Sequence, residues 1–276
     1  MKKIIIFGAN CYGEKVFYSL DDKEYDILYY VDNNKEKWGM IQNHIKIMNP
    51  TCLREVGFDY VIIAYGVYED EIRKQLIEDL DILQEKILTF QPEYLDIKWQ
   101  EDRISMLRKC IAVIKERNIR GNMAEVGVYQ GEFAKYLNRY LPDRKLYLFD
   151  TFSGYPDQEE TTGYGDLCSD TSTQLVLDKM ENRENCILCK GYFPNTAQKL
   201  EDTFCLVSLD TTFYKSILDG LEYFYERLEK GGYLFVHDYG NNDWKGCKRA
   251  VLEFCEKNEV SFVPILDRCG SVIITK

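Results

Sequence analysis

Twice along this chain a short apolar run breaks at a glycine and continues as an amphipathic segment. "KIIIFGANCYGEKVF" does so near the start, and "MAEVGVYQGEFAKYL", Met123 to Leu137, repeats the device about 120 residues later. A strand that ends in a glycine-permitted turn and runs into a helix opens a parallel βαβ unit, because parallel strands are joined only by long crossovers. Two such starts in 276 residues predict two α/β domains, each with enough chain for its own core. Each turn is also a place where a nucleotide can sit, so the next question is which of them does chemistry.

From Lys3 to Phe90, short apolar runs ("KIIIF", "DILYYV", "DYVIIAYG", "KILTF") alternate with amphipathic ones ("YGEKVFYSL", "EDEIRKQLIEDL"). Unbroken apolar runs read as buried parallel strands, and the amphipathic segments as the helices that cover them. "QPEYLDIKWQ" interrupts the pattern, and Pro92 disfavours helix in the residue before it, which predicts a first domain over 1–92. A linker helix is expected within 93–120, from Glu101 to Arg117, with Ile104, Leu107, Ile111 and Ile114 on the face that packs onto the next domain.

The second domain, 121–276, offers the strands "NMAEVGV", "KLYLFD", "NCILCKG", "TFCLVSLD", "GGYLFVHD", "SFVPILD" and "SVIITK", with helices expected between the first six. Only "RCG" separates the last two, too short for a helical crossover, so they are expected to form an antiparallel hairpin. A parallel sheet that ends in such a hairpin is the order of S-adenosylmethionine methyltransferases, whereas a dinucleotide-binding sheet ends parallel.

Composition removes several alternatives. A formal charge of −11 would repel a phosphate backbone, so nucleic acid is not an expected partner. The ten cysteines are scattered, several within apolar runs, as reduced core thiols are. "CILC" lies in an expected strand, where positions three apart face opposite ways, so it reads as neither a redox pair nor half a zinc site. Lys2 and Lys3 precede an apolar run too short for a signal peptide, and no uncharged apolar stretch of about 18 residues is present for a membrane span. A cytoplasmic protein is expected.

In the first turn, Gly8 and Gly13 take the outer positions of a GxGxxG pattern, but Asn10 stands where the middle glycine admits a pyrophosphate. Asp32, ending "DILYYVD", is spaced for a ribose hydroxyl. With "VDNNKEKWG" and "IKIMNP", this segment resembles the small Rossmann-like domains attached to bacterial sugar acyltransferases and other sugar-modifying enzymes. The resemblance implies a nucleotide-sugar site, or a scaffold or dimerisation domain that kept the fold without the ligand.

In the second turn, Glu125 ends a strand, Gly127 permits the tight turn, and Gly131 lets a helix start close to a ligand. An acid at a strand end suits S-adenosylmethionine, which carries an ammonium and a sulfonium, and would repel a diphosphate. Asp150 closes the next strand, placed to accept hydrogen bonds from both ribose hydroxyls. Tyr129, Thr151 and Phe152 in these turns, with Gly191 and Tyr192 after the third strand, complete the expected cofactor-binding residues.

"IRGNMAEVGVYQGEFA", "LFDTFSGYP", "KGYFPNTA", "VSLDTTFYKSILDGLEYFYERLEKGGYLFVHDYG" and "KRAVLEFCEK" resemble the macrocin O-methyltransferase family, in order, from about Arg117 onward. That resemblance implies a class I methyltransferase fold, S-adenosylmethionine as donor, and magnesium-assisted transfer to a sugar hydroxyl. It also implies three metal-binding carboxylates, of which Asp210 and Asp238 match and His237 departs.

Two readings follow for the catalytic pair Asp210 and His237. In one, Asp210, His237 and Asp238 hold Mg2+ or Mn2+, which offsets the carboxylate charge and lowers the pKa of a bound hydroxyl. In the other, His237 is a metal-free base. The carboxylate-rich stretch from Tyr155 to Thr173 reads either as a lid or as a solvated insertion.

The expected activity is O-methylation of a sugar or nucleotide-sugar in polysaccharide or glycoside biosynthesis, with a homodimer among the expected assemblies. The rivals are a methyltransferase for a non-sugar acceptor and a non-catalytic nucleotide-sugar-binding or scaffold protein.

Overall fold

The computed structural model describes residues 1–64, 68–89, 101–155, 167–198, 200–241, 245–267 and 269–276. They fall into two compact units, Met1–Glu101 and Asp102–Lys276. The boundary expected near Pro92 lies outside the described residues.

The first unit runs β1 (Lys2–Phe7), α1 (Cys11–Ser19), β2 (Tyr25–Val31), β3 (Ile41–Gln42), β4 (Ile45–Met48), β5 (Tyr60–Ile63), α2 (Glu69–Lys74) and β6 (Ile87–Thr89). Its sheet order is β3-β4-β2-β1-β5-β6, parallel throughout except for the β3–β4 pair. Along β1, Ile4 and Ile6 enter one core while Ile5 and Phe7 enter the other, as a strand covered on both faces requires.

The glycine turn of this unit is closed by its own side chains. A Cβ on Gly13 would lie 1.9 Å from the carbonyl oxygen of Gly8, so only glycine lets α1 start so near β1. Asn10 Oδ1 accepts the Gly13 amide at 3.0 Å, capping α1 at the helix end where a phosphate would bind. Asp32 accepts from the amides of Ala9 (2.9 Å) and Asn34 (2.8 Å) and from the Lys37 ammonium (2.9 Å). Burial works against its charge, but the Asn34 amide and Lys37 together hold its carboxyl below the ordinary range. The carboxylate is thus engaged by the fold from three sides.

The second unit opens with α3 (Asp102–Glu116) and continues through β7 (Asn122–Val126), α4 (Ala134–Tyr140), β8 (Leu146–Asp150), α5 (Thr173–Asp178), β9 (Cys186–Lys190), β10 (Phe204–Leu209), α6 (Tyr214–Arg227), β11 (Leu228–Val236), α7 (Lys245–Asn258), β12 (Phe262–Pro264) and β13 (Val272–Thr275). The helix expected as a linker buries Ile104, Leu107, Ile111 and Ile114 in this unit's core. Sheet order is β12-β13-β11-β10-β7-β8-β9, and β13 runs antiparallel to both of its neighbours, which is the expected closing hairpin.

One crossover differs from expectation. Among the described residues between β9 and β10 there is a 3-10 turn, Asn195–Ala197, and no α-helix. "GYFPNT" sets a glycine and a proline at the end of β9, and both oppose helix. Cys186 packs with one face of the sheet and Cys189 with the other, so the two thiols of "CILC" do not converge. Among the described residues no helix is long and apolar enough to cross a membrane.

Candidate active site

The carboxyl ends of β7, β8, β9 and β10 open on one cavity of about 360 Å³, whose wall includes Gly127, Tyr129, Asp150, Thr151, Gly191 and Tyr192. This is where an open parallel sheet places its ligand. Gly127 has φ +83°, and a Cβ there would lie 2.3 Å from the carbonyl oxygen of Asp210, so glycine alone lets the turn after β7 pass the end of β10. Asp150 Oδ2 accepts the Tyr129 amide at 2.9 Å and Oδ1 accepts the Phe152 amide at 2.7 Å. Both donors have left-handed backbones, φ +48° and +52°. A carboxylate so fixed keeps lone pairs for the two hydroxyls of a ribose.

Three expected cofactor residues stand off this wall. Glu125 alternates with Ala124 and Val126 on β7, so its side chain lies on the opposite face of the sheet, at 1 % exposure, with Oε2 unpartnered. Burial, then the neighbouring Asp210 charge, raises its carboxyl well above the ordinary range, which disfavours it as a counter-charge for the cofactor. Gly131 packs against α5 and the turn that follows it, where its Cβ would meet Val176 Cγ1 at 3.1 Å and Met180 Cε at 3.2 Å. Phe152 is a core residue that reaches the site only through its amide.

The charge argued for Glu125 passes to Asp150 and Asp210, both on the wall. Lys215 also lies on the wall and is paired with Asp219 at 2.8 Å. An acidic wall fits the ammonium and sulfonium of S-adenosylmethionine, and Asp150 fits its ribose.

The rim beside Asp210 is organised by a residue that the sequence did not reveal. Arg103, in the first turn of α3, donates from Nη1 to Asp210 Oδ2 at 2.8 Å and from Nη2 to Ser208 Oγ at 3.0 Å. Its guanidinium carbon lies 3.9 Å from the centre of the Phe133 ring. The other Asp210 oxygen, Oδ1, is 2.9 Å from His237 Nδ1, which is also 3.5 Å from Asp238 Oδ1. These are charge contacts, since neither is aligned as a hydrogen bond and Nδ1 has no hydrogen-bond partner.

Burial opposes charge on Asp210, yet Arg103 and then His237 hold its carboxyl far below the ordinary range. Burial likewise opposes charge on His237, but Asp210 and Asp238 outweigh it and raise the imidazole from 6.5 to about 9.

This arrangement does not fit the expected magnesium or manganese cage of Asp210, His237 and Asp238. Both Asp210 oxygens already face cations. Among the described residues, the ligating atoms that do converge within 4.8 Å belong to His237, Asp238 and Cys269. Magnesium takes oxygen ligands in near-octahedral array, and a nitrogen–oxygen–sulfur set is not one.

The stretch expected as a lid lies mostly outside the described residues, over 156–166. At its ends, Tyr155 shares a 2.6 Å hydrogen bond with Thr212, and Asp170 accepts from the Tyr129 hydroxyl at 2.7 Å. The cavity wall also carries Thr211, whose buried hydroxyl has no partner. "DTTF", directly after the β10 strand end, was the available signal for Thr211 and Thr212.

Residues 98–267 match the family described as Macrocin-O-methyltransferase (TylF), and residues 1–88 match that described as C2185-like, N-terminal. The chain is 27 % identical over 188 residues to a demethyldecarbamoylnovobiocin O-methyltransferase of Streptomyces niveus, a similarity covering 61 % of this chain and 71 % of that protein. It is 22 % identical over 171 residues to an 8-demethyl-8-(2,3-dimethoxy-alpha-L-rhamnosyl)-tetracenomycin-C 4'-O-methyltransferase of Streptomyces olivaceus, covering 55 % and 64 %. The solved O-methyltransferase NovP shares the fold, with a TM-score of 0.55 at 24 % identity over 63 % of this chain and 79 % of that one. The first family match spans more than half of the 276 residues, and with it the chain belongs to the macrocin O-methyltransferase family and is an S-adenosylmethionine-dependent methyltransferase.

Proposed function

We propose that the chain methylates a hydroxyl of a sugar, free, glycosidic or nucleotide-linked, within glycoside or polysaccharide biosynthesis. The observation that carries this reading is the shared wall: Asp150, suited to the donor's ribose, and Asp210, an ionised carboxylate backed by His237, border one cavity. A sugar acceptor is supported by the Streptomyces olivaceus relative, whose name gives a rhamnosyl-tetracenomycin as its substrate.

When bound, S-adenosylmethionine supplies a methyl group on a positively charged sulfur, open to in-line attack by an oxygen. Gly127, Asp150, Thr151, Gly191 and Tyr192 would hold it. Asp210 accepts the hydrogen bond of the acceptor hydroxyl and orients its oxygen lone pair. Two cations on one carboxylate make Asp210 a weak base, so the hydroxyl proton leaves readily only when His237, 2.9 Å behind it, is neutral and free to take up a proton. The apolar surfaces of Phe149, Phe193 and Phe213 limit water in the cavity.

The test is incubation of the full chain with methyl-labelled donor and a panel of free sugars, glycosides and nucleotide-sugars. Label on a sugar oxygen is expected. Label found only on non-sugar hydroxyls or on nitrogen, or cofactor binding without turnover on any acceptor, would refute the reading.

A further inference from the structure

We propose that the guanidinium of Arg103 stands in the place of a divalent cation at Asp210, so that methyl transfer at this site needs no metal ion; this rests on the methyl-transfer reading above. Arg103 is at 5 % exposure and is held on three sides: by Asp210 at 2.8 Å, by Ser208 at 3.0 Å and by the Phe133 ring at 3.9 Å. A planar fork fixed in this way is not exchanged for an ion from solvent without breaking a buried charge pair.

The local charges reinforce the geometry. Asp210 and Asp238 bring two carboxylates to this rim, and Arg103 and His237 are the basic groups that face them. A divalent ion at Asp210 would sit beside the fixed, buried guanidinium of Arg103, whose charge opposes it. Without Arg103, the same two carboxylates would attract one. The substitution has a chemical consequence: a guanidinium keeps Asp210 ionised and oriented, as a metal would, but has no open coordination position from which to activate the acceptor oxygen. Proton removal then falls to Asp210 and His237.

The test reads metal binding itself and needs no acceptor, so its failure and the failure of the methyl-transfer reading are separate results. Mn2+ is titrated into the full-length wild-type chain and followed by loss of the free-ion electron paramagnetic resonance signal. Asp210→Asn and Arg103→Ala are measured alongside, with the fold of each checked by circular dichroism. No stoichiometric site is expected in the wild type. In Arg103→Ala, where Asp210 loses its fixed cation, Mn2+ affinity is expected to rise by about tenfold or more.

One ion bound per wild-type chain and lost in Asp210→Asn overturns the proposal, and so does a folded Arg103→Ala chain that gains nothing. Should that variant not fold, Arg103→Gln carries the same expectation. With an acceptor in hand, wild-type turnover is expected to persist in excess EDTA; inactivation that Mg2+ reverses overturns the proposal.

Discussion

At the scale of single residues, a carboxylate and an imidazole divide the work, and each makes a separate prediction. Asp150 is fixed by two backbone amides and faces the cavity, so Asp150→Ala removes charge-assisted hydrogen bonds to the donor's ribose. Affinity for S-adenosylhomocysteine, read by calorimetry, is expected to fall by roughly 1.5–3 kcal/mol. Unchanged affinity would show that Asp150 is not the ribose ligand. His237 predicts a pH dependence. Burial and, to a smaller extent, Arg103 oppose its charge, but Asp210 and Asp238 favour it and raise the imidazole from 6.5 to about 9. A raised value means that the stability His237 contributes is complete below about 6.5 and is lost as pH rises through about 9. Turnover should move the other way and climb over the upper part of that window, as the neutral imidazole forms. Denaturant titrations and initial rates across the window check both trends, and in His237→Gln both should flatten. Asp150 and Gly127 were legible in sequence because strand ends and glycine turns announce themselves locally. Arg103 was not: it meets Asp210 across 107 residues of chain, and nothing in "EDRIS" marks one arginine as buried.

At the scale of elements, the two glycines of the second turn look alike in sequence and do different things. Both have positive φ, +83° at Gly127 and +79° at Gly131, so alanine at either strains the backbone by roughly 1–2 kcal/mol. At Gly131 the added methyl meets the tips of Val176 and Met180, which can shift. At Gly127 it meets the backbone of Asp210, which cannot shift without moving the site. Gly127→Ala is therefore expected to lose clearly more stability than Gly131→Ala in chemical denaturation, and to lose cofactor binding as well. Equal losses would mean that the strand end gives way more easily than its packing implies. The periodicity of α3 and the short "RCG" link fixed a helix and a hairpin from sequence alone, because spacing and loop length act locally. The missing helix between β9 and β10 was harder to see, since the apolar residues of "GYFPNTAQKL" suggest a crossover until proline and glycine are weighed against them. The side of the sheet on which Glu125 falls depends on the phase of β7 alternation, which a one-residue difference in register reverses.

At the scale of the whole molecule, two glycine turns of similar appearance have diverged. The first is capped by Asn10 and braced by Asp32 and Lys37, while the second opens on a cavity. The full chain is therefore expected to bind S-adenosylhomocysteine at micromolar concentrations and NAD far more weakly, in parallel calorimetric titrations. Submicromolar NAD affinity would overturn that assignment of the two turns. The sheet of the second unit has a further consequence for how the protein comes into being. β13 lies between β11 and β12, so the strands on either side of it have no partner in each other until it arrives. Without β13, β11 would present Leu234, Phe235 and Val236 along an open edge. A chain that has not yet placed β13 therefore carries an adhesive edge on this sheet, and the strand acts as its seal. Chains halted before Val272 are expected to collect in aggregates or on chaperones, and chains extended through Thr275 to be released soluble.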